Sequence, residues 1–162
     1  MIWSLLLLTA AAVPSQLERG EALFFDEQTG CATCHVLKGK GTAVGPDLTV
    51  MGKLPPAAIA TAARSTVTQY VQVVKVKTSK DAFPAMTGAK DASGVTLFDL
   101  SKMPPEKKVV APGDIASTAG NDKWKHPPAA AKIGAEQLAD IVAYIRFAVT
   151  GSKKAVDPSE VQ

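Results

Sequence analysis

The chain has 162 residues, a formal net charge of +3, 46% hydrophobic residues and 20% charged ones. That length suits one modest domain, and the composition is that of a globular protein. No dense basic run with interleaved aromatics is present, which sets nucleic-acid binding aside.

Residues 1–12 open the chain with an apolar block, Met1 to Val13, that ends in small residues suited to cleavage near Ala10 and Ala12. The block is too short to span a bilayer, which takes about 20 residues. It is read as a signal peptide, although no Lys or Arg precedes it; the rival reading is an apolar first helix. Contact with a membrane is expected only if this leader stays uncleaved. Since residues 1–15 carry no charge, the net +3 belongs to the remainder.

Ser15 to Phe25 reads as a helix, with Ser15 and Glu18 forming a capping box and Leu17, Glu21 and Phe24 on related faces. It stops at 26–30, just before Cys31-Ala32-Thr33-Cys34-His35. Two thiols three positions apart can each form a thioether to a haem vinyl group, and the histidine that follows can bind the iron from one face. This is the c-type haem attachment spacing. A thioredoxin-like dithiol would want a βαβ context, and a zinc site would want four ligands at suitable spacing. The chain has only these two cysteines, so it can tether one haem, and that haem would supply core bulk that 6% aromatics do not.

Gly39, Gly41 and Gly45 mark a loop closing on Gly45-Pro46-Asp47-Leu48, and Pro55-Pro56 opens a second helix to about Arg64. Tyr70 to Lys77 is β-branched and partly alternating. Met86–Lys90, a turn over 91–94 and Val95–Leu100 read as strand, turn and strand, with Val109-Val110 adding a short one. Residues 69–116 are therefore expected to form a small antiparallel β insertion. The clearest helix is the last, Gly134 to Val149, where Leu138, Ile141, Val142 and Ile145 make an apolar stripe and Gly151 terminates. Residues 152–162 are polar and expected to be disordered.

The order of these parts resembles a class I monohaem cytochrome c: a first helix with Gly20 and Phe24, the Cys31–His35 motif, Gly45-Pro46-Asp47-Leu48, and a last helix with Leu138, Asp140 and Ala143-Tyr144-Ile145. The middle section is similar to cytochrome c domains with a β-hairpin before the distal loop. The resemblance implies a mainly α fold around one covalent haem c, with residues 13–151 as the cytochrome domain and the β insertion inside it. It implies that Gly20 and Phe24 pack against Tyr144, and that the Pro46 carbonyl orients His35.

The chain departs from that family at the sixth ligand. Where a methionine followed by proline is usual, it has Trp124-Lys125-His126-Pro127-Pro128, with His126 ten residues before Glu136 and the only histidine besides His35. Imidazole suits iron, and the prolines would stiffen the loop. His126 is the expected distal ligand and Met103, in Met103-Pro104, the alternative; Met51 and Met86 read as packing residues. Trp124 could pack on the porphyrin edge or in ordinary core. Axial identity tunes haem potential over a range on the order of 0.8 V.

The function these readings imply is single-electron transfer between redox proteins, outside the cytoplasm and most naturally in a periplasm, with no enzymatic step. A dehydrogenase donor and an oxidase or second cytochrome as acceptor are the expected partners. Scattered lysines would favour acidic partners or simply solvate the surface. The alternative is a haem-based small-ligand sensor with a displaceable distal residue. A peroxidase ranks below both, since no distal acid–base groups are identifiable.

Overall fold

The computed structural model describes residues 13–27, 30–65, 70–78, 82–127 and 133–162. The leader reading for 1–12 lies outside the described residues. None of the described helices is long and apolar enough to cross a membrane.

The helical frame begins with α1, Gln16–Phe25. The Ser15 hydroxyl accepts the Glu18 N–H at 3.3 Å and the Glu18 carboxylate accepts the Ser15 N–H at 2.7 Å, so the helix end has a reciprocal cap. Helix α2 is the single turn Cys31–Cys34, α3 is Pro56–Arg64 and α4 is Ala135–Thr150. Helices α1 and α4 cross at Gly20, where a Cβ would lie 2.6 Å from the Asp140 carbonyl carbon and 2.9 Å from the Tyr144 Cβ. Only glycine permits that approach. Arg19 grips the Asp140 carboxylate with two bonds of 2.8 and 2.9 Å across the crossing. Phe24 is fully buried, its ring centre 5.7 Å from that of Tyr144.

The β region is larger than the small insertion expected over 69–116. After the two-residue strands β1 (Val36–Leu37) and β2 (Lys40–Gly41), five strands form one antiparallel sheet: β3 Val71–Val76, β4 Ala82–Asp91, β5 Gly94–Asp99, β6 Glu106–Val110 and β7 Ile115–Gly120, in the order β6-β5-β4-β3-β7. A chain expected to be mainly α thus places five strands between residues 71 and 120. The strand expected at Met86–Lys90 begins four residues earlier, because Ala82–Ala85 pairs with Gln72–Lys75.

Strands β6 and β7 are opposite edges, yet only Ala111–Asp114 joins them, including a 3₁₀ turn at Pro112–Asp114. Four flat strand spacings would separate the edges by about 19 Å, more than a link rising about 2 Å per residue in its 3₁₀ part can span. The sheet must coil. Its inner face carries a core of its own, with Val74, Val76, Phe83, Ala85, Val95 and Leu97 all buried. Asp99 is buried beside it, paired to Lys108 Nζ at 2.6 Å, while that ammonium lies 4.4 Å from the Phe83 ring centre. Val71 and Met86 are register partners on the opposite face, which turns toward the helices.

Residues 152–162, expected to be disordered, fold back on the helical core. Val156 and Val161 are buried with Phe24, Ile59, Ala60 and the α4 stripe. The Gln16 side-chain amide donates to the Val156 carbonyl at 2.8 Å and accepts its N–H at 3.0 Å. Asp157 and Glu160 cap a closing 3₁₀ turn, Pro158–Val161. Two valines in a polar segment anchor it here because each is buried among side chains of α1, α3 and α4.

Candidate functional site

The single turn α2 places Cys31 and Cys34 one helical turn apart, and so on one face. The chain then reverses tightly: the Thr42 N–H donates to the Ala32 carbonyl at 2.9 Å and the Gly45 N–H to that of Cys34 at 2.6 Å. This brings Gly45 flat against the His35 ring, where a Cβ would lie 2.6 Å from Cε1. It also sets the Pro46 carbonyl 2.8 Å from His35 Nδ1. A carbonyl can only accept, so Nδ1 carries the proton and Nε2 keeps its lone pair.

His126 is built differently and ends in the same state. Its Nδ1 donates to the carbonyl of Ala63 at 2.8 Å. A helix leaves its last four carbonyls without intrahelical partners. At the end of α3 the Ser65 N–H donates to those of Thr61 and Ala62, at 2.9 and 3.3 Å, and the histidine takes that of Ala63. The two imidazole centres stand 5.9 Å apart with planes at 78°. Burial lowers the pKa of both; for His35 the Pro46 bond opposes this and the nearby His126 adds to it, and for His126 the Ala63 bond opposes it. Burial thus favours the neutral form of both rings, the form that binds metal.

Between and around the rings lies an apolar cavity of about 420 Å³. Cys31, Cys34, His35, Pro46 and Leu48 line it from one side, and Ile59, Ala62 and Ala63 of α3 from another. The α4 stripe of Leu138, Ile141, Val142 and Ile145 closes a third wall. The sheet supplies a fourth through Val71, Met86 and Leu100, with Tyr70 beside them. Trp124 and His126 complete it, their ring centres 6.1 Å apart.

A covalently tethered haem fits this donor set. Metal–imidazole bonds of about 2 Å on both faces would put the two ring centres on the order of 6 Å apart, close to the spacing observed. Both thiols border the same cavity, and its volume and apolar lining are those of a cofactor pocket. The rival readings of the cysteines find less support. Burial raises the pKa of Cys34, with the Thr33 hydroxyl pulling the other way, where a reactive dithiol needs it lowered. Among the described residues no group of three or more His, Cys, Asp or Glu could hold a metal ion such as zinc.

Met103 stands apart from the cavity lining. It is half-exposed, with its sulfur accepting from the Thr33 hydroxyl at 3.5 Å and packed at 3.6 Å from the Cβ position of Gly30. Met51 and Met86 do line the cavity, among its apolar walls. From residues alone the β insertion could serve equally as a docking surface or as a cover over one haem edge, and its share in the wall depends on strand register; the Ala63 carbonyl depends on backbone alone.

Residues 17–103, more than half of the chain, match the family model described as cytochrome c. No curated protein matches the chain.

Proposed function

We propose, from the premise that this chain belongs to the cytochrome c family, that it carries single electrons between redox proteins outside the cytoplasm, with one haem tethered by Cys31 and Cys34 and ligated by His35 and His126. When bound, the haem supplies a one-electron iron couple. The observation that carries the reading is the pair of imidazoles 5.9 Å apart that border one apolar cavity, each with Nδ1 bonded to a backbone carbonyl. Such bonds fix tautomer and ring orientation and raise ligand basicity.

The chain's work is then positional. His35 and His126 would hold the iron from both faces and leave no position for a substrate, so a change of oxidation state would need little movement. The apolar walls exclude water, and the sheet closes one side. Two nitrogen ligands favour a lower potential than a histidine–methionine pair. A dehydrogenase as donor and an oxidase or another cytochrome as acceptor suit such a carrier, in a periplasm or comparable compartment.

The test is carbon monoxide binding to the reduced protein. The unmodified protein should bind it slowly, and His126→Ala should bind it readily. An unchanged six-coordinate spectrum in the variant would remove His126 from the iron. Ready binding by the unmodified protein would instead favour a small-ligand sensor.

A further inference from the structure

The bond that fixes His126 comes from the C-terminal end of α3, a helix of nine residues, and isolated helices that short are marginal in water. The Ser65 N–H caps that end through the Thr61 and Ala62 carbonyls. A second hold comes from outside the helix: Arg64, next to the carbonyl that His126 uses, donates from its guanidinium to the main-chain carbonyl of Val161. The closing 3₁₀ turn packs on both α3 and α4. Val161 is fully buried and Val156 nearly so, and the Gln16 amide secures Val156 to α1 by two bonds. Helix α3 therefore lies between the cavity, which it lines with Ile59, Ala62 and Ala63, and the returning C-terminal segment.

We propose that residues 152–162 form a strap that positions His126, acting through Arg64 and the Ala63 carbonyl. Arg64 and Val161 are positioning residues. Neither lines the cavity; each fixes the helix end whose carbonyl holds the ring. The strap ties the far end of the chain to the distal ligand, so a perturbation at the C-terminus is felt as a looser imidazole. The proposal rests on His126 being the distal ligand.

The experiment follows carbon monoxide binding by stopped flow in the reduced haem-loaded protein, and the lifetime of the His126 Nδ1 proton by NMR. The variants are a chain ending at Ser152, Arg64→Ala, and Leu97→Ala as a control for general destabilisation, since Leu97 is buried in the separate sheet core. Loss of an outer-shell partner typically weakens a metal ligand at least tenfold. Strap removal leaves that partner in place but loosened, so it should speed carbon monoxide binding by up to about tenfold, Arg64→Ala should give a smaller increase, and both should shorten the proton lifetime. Leu97→Ala should change neither. In a His126→Ala background, removing the strap should add nothing. Unchanged rates in both strap variants, or an equal rise in Leu97→Ala, would overturn the proposal. If the shortened chain fails to fold, Arg64→Ala and Val161→Ala decide the matter. Failure of the ligand reading shows separately, as a His126→Ala protein no faster than the unmodified one.

Discussion

The two histidines reach the same chemical state by opposite routes. His35 is set by its own neighbourhood: the carbonyl that holds it is eleven residues away, and the loop that delivers Pro46 is pinned to α2 by main-chain bonds. His126 is held by a carbonyl 63 residues distant, at the end of a short helix braced by the C-terminal segment. The near side draws on residues 31–46 alone, whereas the far side draws on residues 63 and 126 and on the segment that packs against α3. A ligand of the first kind should be robust and one of the second kind sensitive to distant change.

Loss of the tether would disrupt the near side outright. Replacing both thiols, Cys31→Ala with Cys34→Ala, should abolish covalent attachment, so that acid–organic extraction removes all the haem; retention would contradict the tether. Gly45→Ala comes next. Its Cβ would press on the His35 ring at 2.6 Å from Cε1, and the oxidised spectrum should gain a high-spin fraction from a displaced imidazole. A spectrum identical to that of the unmodified protein would show that the ring has more room than this packing allows.

Two smaller effects sharpen the contrast from the sheet. Leu97→Ala empties part of the sheet core and should cost about 3 kcal/mol in denaturant unfolding, with the absorption spectrum intact. A spectral change at that position would mean that the sheet core, and not its cavity-facing side alone, supports the ligands. Asp99→Asn should cost about 2 kcal/mol by weakening the charged bonds to Lys108 and Ser101. Burial pushes the Asp99 pKa up, but those bonds outweigh it and hold the carboxyl below its ordinary value. A depressed carboxyl pKa contributes stability that is present above the unfolded value, about 3.9, and lost as pH falls through the folded one. The acid limb of the stability profile should therefore flatten in the variant, and an unchanged limb would assign it to other groups.

The legible parts of this molecule are those whose chemistry is written in side chains at fixed spacing. Cys31, Cys34 and His35 border the cavity as their spacing suggests, and the stripe Leu138, Ile141, Val142 and Ile145 lines it along α4. The less legible parts depend on backbone or on long-range register. Strand β7 reads Ile-Ala-Ser-Thr-Ala-Gly, with small side chains and no alternating pattern, and is a strand because β3 needs a partner on its second edge. Val156 and Val161 are two apolar residues in a polar segment, and their burial depends on a groove formed by α1, α3 and α4. No amino-acid letter marks the Ala63 carbonyl as available. Met103-Pro104 has the familiar pairing of a ligand, yet its sulfur rests on Thr33 outside the cavity.

Whether imidazole holds the iron on both faces is read from the oxidised absorption spectrum extended into the far red. With His35 and His126 bound, the spectrum is expected to be low-spin and without a sulfur-to-iron charge-transfer band. A clear band of that kind would put methionine on the iron and contradict the assignment of His126.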